Sequence, residues 1–300
     1  MRRIVTLKIF FVVSIVSCGV LLVPDQAFAW GVGIHVTQGI YILKHLNFIA
    51  PTIAAILKVF PYDYLYGCIS ADIFIGKGVK KKWDHCHNWS LGMKMLLRAD
   101  SDDTTAFVYG YLSHLAADII SHNFYVPNQL YMTSSTKRFG HIYWEFRSDE
   151  FINKKLWKTA RTVIERHNLH NDAFLQEMVK RKLVSFKVKK KVFTHSVKLN
   201  DLAIWQKAVA LVSKKSRWDV EKIYIEELNR YSLNLIIDFL KNGRKSVCFK
   251  FDPIGSDKLI SAKKKRREVR TVRGSNPKRV LFEIPSNIKK LSYVKTKYHF

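Results

Sequence analysis

His114, Asp118 and His122 stand four residues apart in the run GYLSHLAADIISHNF, and this spacing limits what the chain can fold into more than any other feature. Steps of four place side chains on one face of a helix, each about one turn above the last. Two imidazoles and a carboxylate beside Leu115, Ile119 and Ile120 are costly to take out of water unless a strong partner meets them. A buried polar network is one such partner, and a metal cation is the more economical one. The same step recurs in GHIYWEF as His141 and Glu145, so two helical segments could turn imidazole and carboxylate toward each other. Upstream lie His35, Asp72 and the pair His85 and His87. Imidazole nitrogen and carboxylate oxygen are the usual ligands of a catalytic zinc, which keeps one position open for water. His45, His167, His170, His195 and His299 lack carboxylates at helical intervals and are expected to be ordinary core or surface residues.

The first 29 residues read as a leader outside the fold. Arg2, Arg3 and Lys8 precede an apolar run over 9–23, and Ala27, Phe28 and Ala29 complete a small-x-small cleavage pattern. The run is short for a membrane span of about 20 residues. Cleavage would leave Trp30 as the first residue of an exported protein, secreted or periplasmic. A lipobox-like Ile15-Val16-Ser17-Cys18 is a weaker competitor, because it would leave an apolar leader on the mature chain. Cys68, Cys86 and Cys248 then remain, an odd number, so at least one thiol is unpaired or intermolecular. For Cys86, between two histidines, a half-buried thiol or a bridge to Cys68 is expected ahead of a metal-ligand role.

Charge divides the remainder. Residues 30–179 balance at +3, whereas 180–300 reach +22, concentrated in Lys187 with Lys189 to Lys191, Lys214 with Lys215, and Lys263 to Arg267 followed by Arg270 and Arg273. Such a potential attracts polyanions, either anionic lipid head groups or a nucleic-acid backbone, without reading sequence. A solvated, partly disordered tail is the plain alternative.

Helical periodicity predicts segments over 34–46, 51–60, 89–97, 104–122, 149–166, 172–183, 200–214 and 219–241, the last stopped by Asn242-Gly243. Ser101-Asp102-Asp103 offers an N-cap to the fourth. Residues 247–251 and 280–284 have the composition of short strands. The expectation is an all-α, multi-helix domain over 30–243, its motifs within 30–150, and an irregular basic extension over 244–300.

The segments WGVGIH, LYGCISADIFIGKG, HCHNW, GYLSHLAADIISHNFYVP and GHIYWE, in that order over roughly 30–150, resemble the zinc-dependent phospholipase C family. That resemblance implies a helical hydrolase holding three zinc ions, with the new N-terminal tryptophan as a ligand through its α-amino nitrogen and carbonyl oxygen. Carried over residue by residue, it assigns one zinc to Trp30, His35 and Asp118, and a second to Asp72, His87, His114 and the bridging Asp118. The third falls to His122, His141 and Glu145. His85 could replace His87, and the interval from Asp118 to His122 is shorter than in the founding phospholipases. Asp72 is the candidate for orienting or deprotonating the attacking water, and Asp84 and Asp149 are candidate acceptors behind the histidines.

Three readings follow. The first is a phospholipase C releasing diacylglycerol and a phosphorylated head group, a monomer drawn to a phospholipid membrane surface by its basic half. The second is a single-strand-specific nuclease or other phosphodiesterase with the same three-zinc site, its basic half binding nucleic acid. The third is a non-catalytic zinc-binding surface protein.

Overall fold

The computed structural model describes residues 30–73, 86–133, 140–166, 168–179, 185–216, 218–273, 277 and 279–294, without the side chains of 140–142, 145, 208, 212 and 270–273. The expected leader, Trp83, Asp84 and His85, and the side chains of His141 and Glu145, lie outside the described residues.

Helices α1 (Val32–Lys44), α2 (Pro51–Val59) and α3 (Pro61–Ser70) come first, α2 and α3 each starting on a proline whose missing amide hydrogen has no role in a first turn. A 3-10 turn, Ala71–Ile73, follows α3 and carries Asp72. Then come α4 (Trp89–Arg98), capped by the Asn88 side chain, and α5 (Asp102–Ile120). α5 is buried along almost its whole length, with Phe107, Leu112, Leu115, Ala116 and Ile119 sealed from water. A helix apolar on all sides must be enclosed by others. Here α3, α4 and α12 (Lys222–Asn242) enclose it.

The tightest contact lies between α3 and α5. A Cβ on Gly67 would come within 1.9 Å of the Phe107 carbonyl oxygen, and one on Gly110 within 2.0 Å of the Tyr64 carbonyl oxygen. The two backbones therefore meet where no side chain fits. This approach sets the distance between the end of α3, which leads to Asp72, and the middle of α5, which holds His114.

α5 continues into a π-helical turn, Ser121–Tyr125, and then α6 (Val126–Met132). Pro127 cannot donate to the carbonyl of Asn123, and its ring crowds that carbonyl, so the widened turn falls where a regular helix is blocked. The remaining helices are α7 (Gly140–Asp149), α8 (Lys154–Glu165), α9 (Leu169–Val179), α10 (Phe186–Asp201) and α11 (Ala203–Lys215). After α12 come α13 (Ser256–Arg273) and the short α14 (Ser286–Lys289).

The architecture is all-α, with no strand among the described residues. Several local expectations are corrected. Residues 247–251 form a 3-10 turn, Val247–Lys250, because the Asp238 carboxylate accepts from Ser246 Oγ at 2.6 Å and from the Val247 amide at 2.9 Å and draws the chain into a cap. Residues 280–284 lie without regular structure against Asn128, which accepts from the Leu281 and Phe282 amides and donates to the Phe282 carbonyl. The basic stretch after Gly255 is not irregular. Ala262 and Arg266 are buried on one face of an 18-residue helix that packs on α6 and the π turn, and lysine and arginine are good helix formers. The segment expected over 149–166 is one helix that starts later, at Lys154, Asp149 being the last residue of the helix before it. Gly243, with φ 55°, ends α12 as expected. No disulfide joins Cys86 to Cys68; both, with Cys248, are buried thiols, and burial pushes the Cys68 and Cys248 thiols up to about 12.

Candidate metal centre

Asp118 stands at the centre of the cluster. It occupies the buried face of α5 one turn beyond His114, where the helix is enclosed on every side and water cannot solvate a carboxylate. Its Oδ2 lies 3.0 Å from His87 Nε2, 3.1 Å from His114 Nε2 and 3.8 Å from His122 Nε2, and its Oδ1 lies 3.2 Å from His35 Nε2. Four imidazoles thus face one carboxylate. None of these approaches has the alignment of a hydrogen bond at either Asp118 oxygen or at His35 Nε2. Side chains from five residues therefore converge on one buried point.

Each imidazole reaches that point for a local reason. His35 is on the buried side of α1. His114 Nδ1 lies 2.8 Å from the Cys68 carbonyl, which accepts the proton on Nδ1 and leaves Nε2 with its lone pair turned inward. That carbonyl is in reach because Gly67 and Gly110 let α3 and α5 touch. His87 is placed by Cys86, whose carbonyl accepts from the Tyr111 hydroxyl and whose sulfur is 3.5 Å from His87 Nδ1. The Nε2 atoms of His87 and His114 are 2.8 Å apart, close enough to share one proton or one cation. Asp72, on the turn after α3, brings Oδ1 to 3.4 Å from His87 Nε2 and 3.7 Å from His114 Nε2.

The protonation states suit metal binding. Burial, reinforced by His114, lowers the His35 imidazole below its ordinary value. Burial opposes charge on Asp118, but His114 and His35 outweigh it and hold the carboxyl well below the usual carboxylate range. A charged carboxylate beside an imidazole kept neutral, as Asp118 stands beside His35, is what a divalent cation requires. His35 with Asp72 and His114, and His87 with His114 and Asp118, are both compact enough to hold an ion. Because they share His114, they form one continuous cluster rather than two separate sets. Nitrogen and oxygen donors of this kind suit zinc.

Of the sequence-predicted ligands, the structure brings together His35, Asp72, His87, His114, Asp118 and His122. Trp30 is fully buried nearby, its indole nitrogen donating to the Ala117 carbonyl at 3.2 Å and to Ser232 Oγ at 3.0 Å, and its ring stacking on Tyr125. It therefore sits against the same stretch of α5 that bears Asp118. For His141 and Glu145 only the backbone of α7 is described. His45 and His195 make ordinary bonds to the carbonyls four residues earlier, as expected of non-ligands.

Sequence reasoning left one residue without its actual role. Among the described residues Asp149 accepts from no histidine; instead it caps α1, accepting from the Gly33 and Ile34 amides at 3.1 Å each. A carboxylate at a helix N-terminus meets both its orphan amides and its dipole. Any Cβ on Gly31 would overlap this carboxylate. Burial, opposed by those two amides and helped by Asp72, raises Asp149 to about 7. The signal was present: Asp149 continues the four-residue step from His141 and Glu145, so α7 binds back onto the helix of His35.

A search of the curated proteins and one of the solved structures found no match. The family model described as zinc dependent phospholipase C matches residues 34–195, a span that takes in every candidate ligand except Trp30. A match over more than half of the chain, laid on a buried histidine and aspartate cluster in an all-helical fold, places it: the chain belongs to the zinc-dependent phospholipase C family of hydrolases.

Proposed function

We propose that this chain is an exported phospholipase C that is cut before Trp30 and cleaves glycerophospholipids to diacylglycerol and a phosphorylated head group. Family membership supports the phosphodiester hydrolase chemistry. The observation that carries the reading is Asp118, a buried carboxylate with four imidazoles around it and, among the described residues, no well-aligned hydrogen-bond partner at either oxygen. We assign His35, Asp118 and the amino terminus of Trp30 to one zinc, Asp72, His87, His114 and Asp118 to a second, and His122, His141 and Glu145 to a third.

When bound, zinc supplies a Lewis acid for the phosphoryl oxygen and brings the pKa of a bound water to about 7. The chain's own groups do the rest. Asp118 holds negative charge at the centre of the cluster, and the Cys68 carbonyl, by accepting from His114 Nδ1, keeps the His114 Nε2 lone pair turned inward. Asp72 lies at the edge of the cluster, on a 3-10 turn rather than inside a helix, and is the group that orients or deprotonates the attacking water. The indole of Trp30 is locked between α5 and α12 through Ala117 and Ser232, which would fix a new amino terminus beside Asp118.

The basic second half supports a polyanionic partner, with α13 exposing Lys263, Lys264, Lys265 and Arg267. We read this as attraction of a monomer to a phospholipid surface. The same exposed charge favours the runner-up, a nuclease of the three-zinc kind. The deciding experiment is release of phosphocholine from phosphatidylcholine by the exported protein, with and without a zinc chelator, alongside single-stranded DNA. Chelator-sensitive release with intact DNA supports the proposal, and the reverse result promotes the nuclease. An amino terminus other than Trp30 would overturn the ligand set at the first zinc.

A further inference from the structure

Helix α10 is apolar on two opposite sides. Phe186, Phe193 and Val197 point into the core and are almost sealed from water. Val188, Val192 and Leu199, spaced four and seven apart, form a second stripe on the far side, exposed by 52%, 45% and 39%. The pattern continues through Leu202 into α11, where Ile204 and Leu211, seven apart and so on one side of that helix, are exposed by 66% and 56%. Six of the large apolar side chains that this protein turns to water therefore fall within one helical pair. Isolated exposed apolar residues need no explanation, whereas a stripe of them marks a surface that something covers.

The surroundings of the stripe indicate what covers it. Lys187 and Lys191 run exposed alongside it on α10, Lys198 at the next step of the same spacing pairs with Glu165 of α8 at 2.7 Å, and α11 exposes Lys207, Lys214 and Lys215. Between 185 and 216 there are eight lysines and a single acidic residue, Asp201, which is occupied by Arg161 at 3.4 Å. An apolar stripe edged by lysines, on helices not long and apolar enough to cross a membrane, is the form of a segment that lies in a bilayer surface. The apolar groups enter the acyl boundary while lysine stems reach back to the phosphates.

The pair is also joined to the metal centre. α10 packs on the 3-10 turn that carries Asp72. Trp205 of α11 meets Phe146 of α7 edge to face at 6.0 Å, and the Tyr143 hydroxyl of α7 meets Ser216 Oγ at 2.5 Å just past α11. A cleft of about 110 Å³ between these helices is lined by Asp149, Trp157, Trp205 and Gln206.

We infer that α10 and α11 form the interfacial docking surface of this enzyme, seated on an anionic phospholipid bilayer by the Val188, Val192 and Leu199 stripe, Ile204 and Leu211. The docking stands on these residues alone; its purpose, delivery of substrate, rests on the phospholipase reading. The test uses the mature protein and a variant carrying Val188→Ser, Val192→Ser, Leu199→Ser, Ile204→Ser and Leu211→Ser. Because all five side chains face water, the variant is expected to keep its melting temperature. Co-sedimentation is measured with vesicles of phosphatidylglycerol in phosphatidylcholine and with phosphatidylcholine alone, and hydrolysis is measured on the vesicles and on a short-chain phosphatidylcholine below its micelle threshold. The expected result is vesicle binding and vesicle hydrolysis weaker by roughly tenfold or more in the variant, with hydrolysis of the monomeric lipid unchanged. Unchanged vesicle binding overturns the inference, as does equal binding to uncharged vesicles, or a variant that changes only from dimer to monomer. If the parent hydrolyses neither lipid yet binds anionic vesicles through this stripe, the docking stands and the phospholipase reading falls.

Discussion

The contact of α3 with α5 and the pair α10 and α11 show two ways of using helical surface. Around α5 almost every side is enclosed, and the polar groups there, His114 and Asp118, are aimed at one another. Around α10 only one of two apolar sides has a partner among the described residues. The first region is over-determined: helix contact, ligand placement and protonation all depend on the same few atoms. The second is open on one side, and substitution there should cost the fold little and the encounter with substrate much. The difference can be broken or sharpened by mutation.

The largest effect is expected at Asp118. Asp118→Asn keeps the shape but replaces a charged oxygen with an amide nitrogen that cannot ligate. Zinc content should fall, and turnover should drop on the order of a thousandfold or more, since one group serves several partners. Metal analysis beside a phosphodiesterase assay checks this. Retained zinc with retained activity would remove Asp118 from the centre of the site.

Next comes the helix contact that feeds the site. In Gly67→Ala the new Cβ meets the Phe107 carbonyl at 1.9 Å, an overlap with backbone that no rotamer relieves. Overpacking of this kind costs about 1–3 kcal/mol, and here it also shifts the Cys68 carbonyl away from His114 Nδ1. A lowered melting temperature accompanied by weaker zinc binding is the expected pair of outcomes. Val192→Ala on the exposed stripe of α10 should stay within about 0.5 kcal/mol of the parent. Equal destabilisation by the two would erase the contrast between enclosed and open helices.

The third test uses protons. In metal-free protein Asp149 sits at about 7 rather than its ordinary 3.8, so the folded chain retains a proton that the unfolded chain releases between those values. Stability contributed by that proton is therefore greatest near the lower end and is lost as pH rises toward 7. His35 has the opposite slope. Its imidazole is lowered from 6.5, so the unfolded chain takes up the proton first, and stability is lost as pH falls below about 6.5. Asp149→Asn should abolish the decline between about 4 and 7 while weakening the α1 cap by about 1 kcal/mol at every pH. Melting temperatures across this range in the presence of chelator give the answer, and identical pH slopes in parent and variant would refute it.

Much of the site was readable in sequence because its spacing is local. His114 and Asp118 announce themselves on α5, with His122 one step on in the π turn, and the order of motifs from Trp30 to Glu145 carried the family. What was not readable depends on contacts far apart in the chain. Helix α3 was missed because its run PYDYLYGCIS is aromatic and polar without apolar periodicity; what makes it a helix in place is Gly67 against Gly110, 43 positions away. The π turn could not be inferred from a four-residue step, although Pro127 was its cause. The basic extension was expected to be irregular because charge dominated its composition, yet Gly255, with φ 62° and the His122 carbonyl beside it, seats α13 directly on the π turn. The alternate faces of α10 were hidden for a simpler reason: apolar residues on both sides cancel the periodicity that reveals an amphipathic helix.

The smallest expected effect separates the two basic surfaces. Lys263, Lys264 and Lys265 are exposed on α13 and have charged neighbours within it, Lys265 lying 3.2 Å from Glu268. Their attraction to an anionic bilayer is long-range and screened, amounting to about 1 kcal/mol per lysine close to the surface and less beyond a Debye length of about 8 Å. Replacing all three with Gln should thus reduce vesicle association modestly at low salt, leave it nearly unchanged at 0.5 M salt, and spare hydrolysis of a monomeric lipid. The serine variant of α10 and α11 should behave differently, losing association at both salt concentrations, because apolar insertion is not screened. If the glutamine variant instead loses binding at high salt and the serine variant does not, α13 rather than α10 meets the membrane, and the unpartnered side of α10 must be covered by something other than lipid.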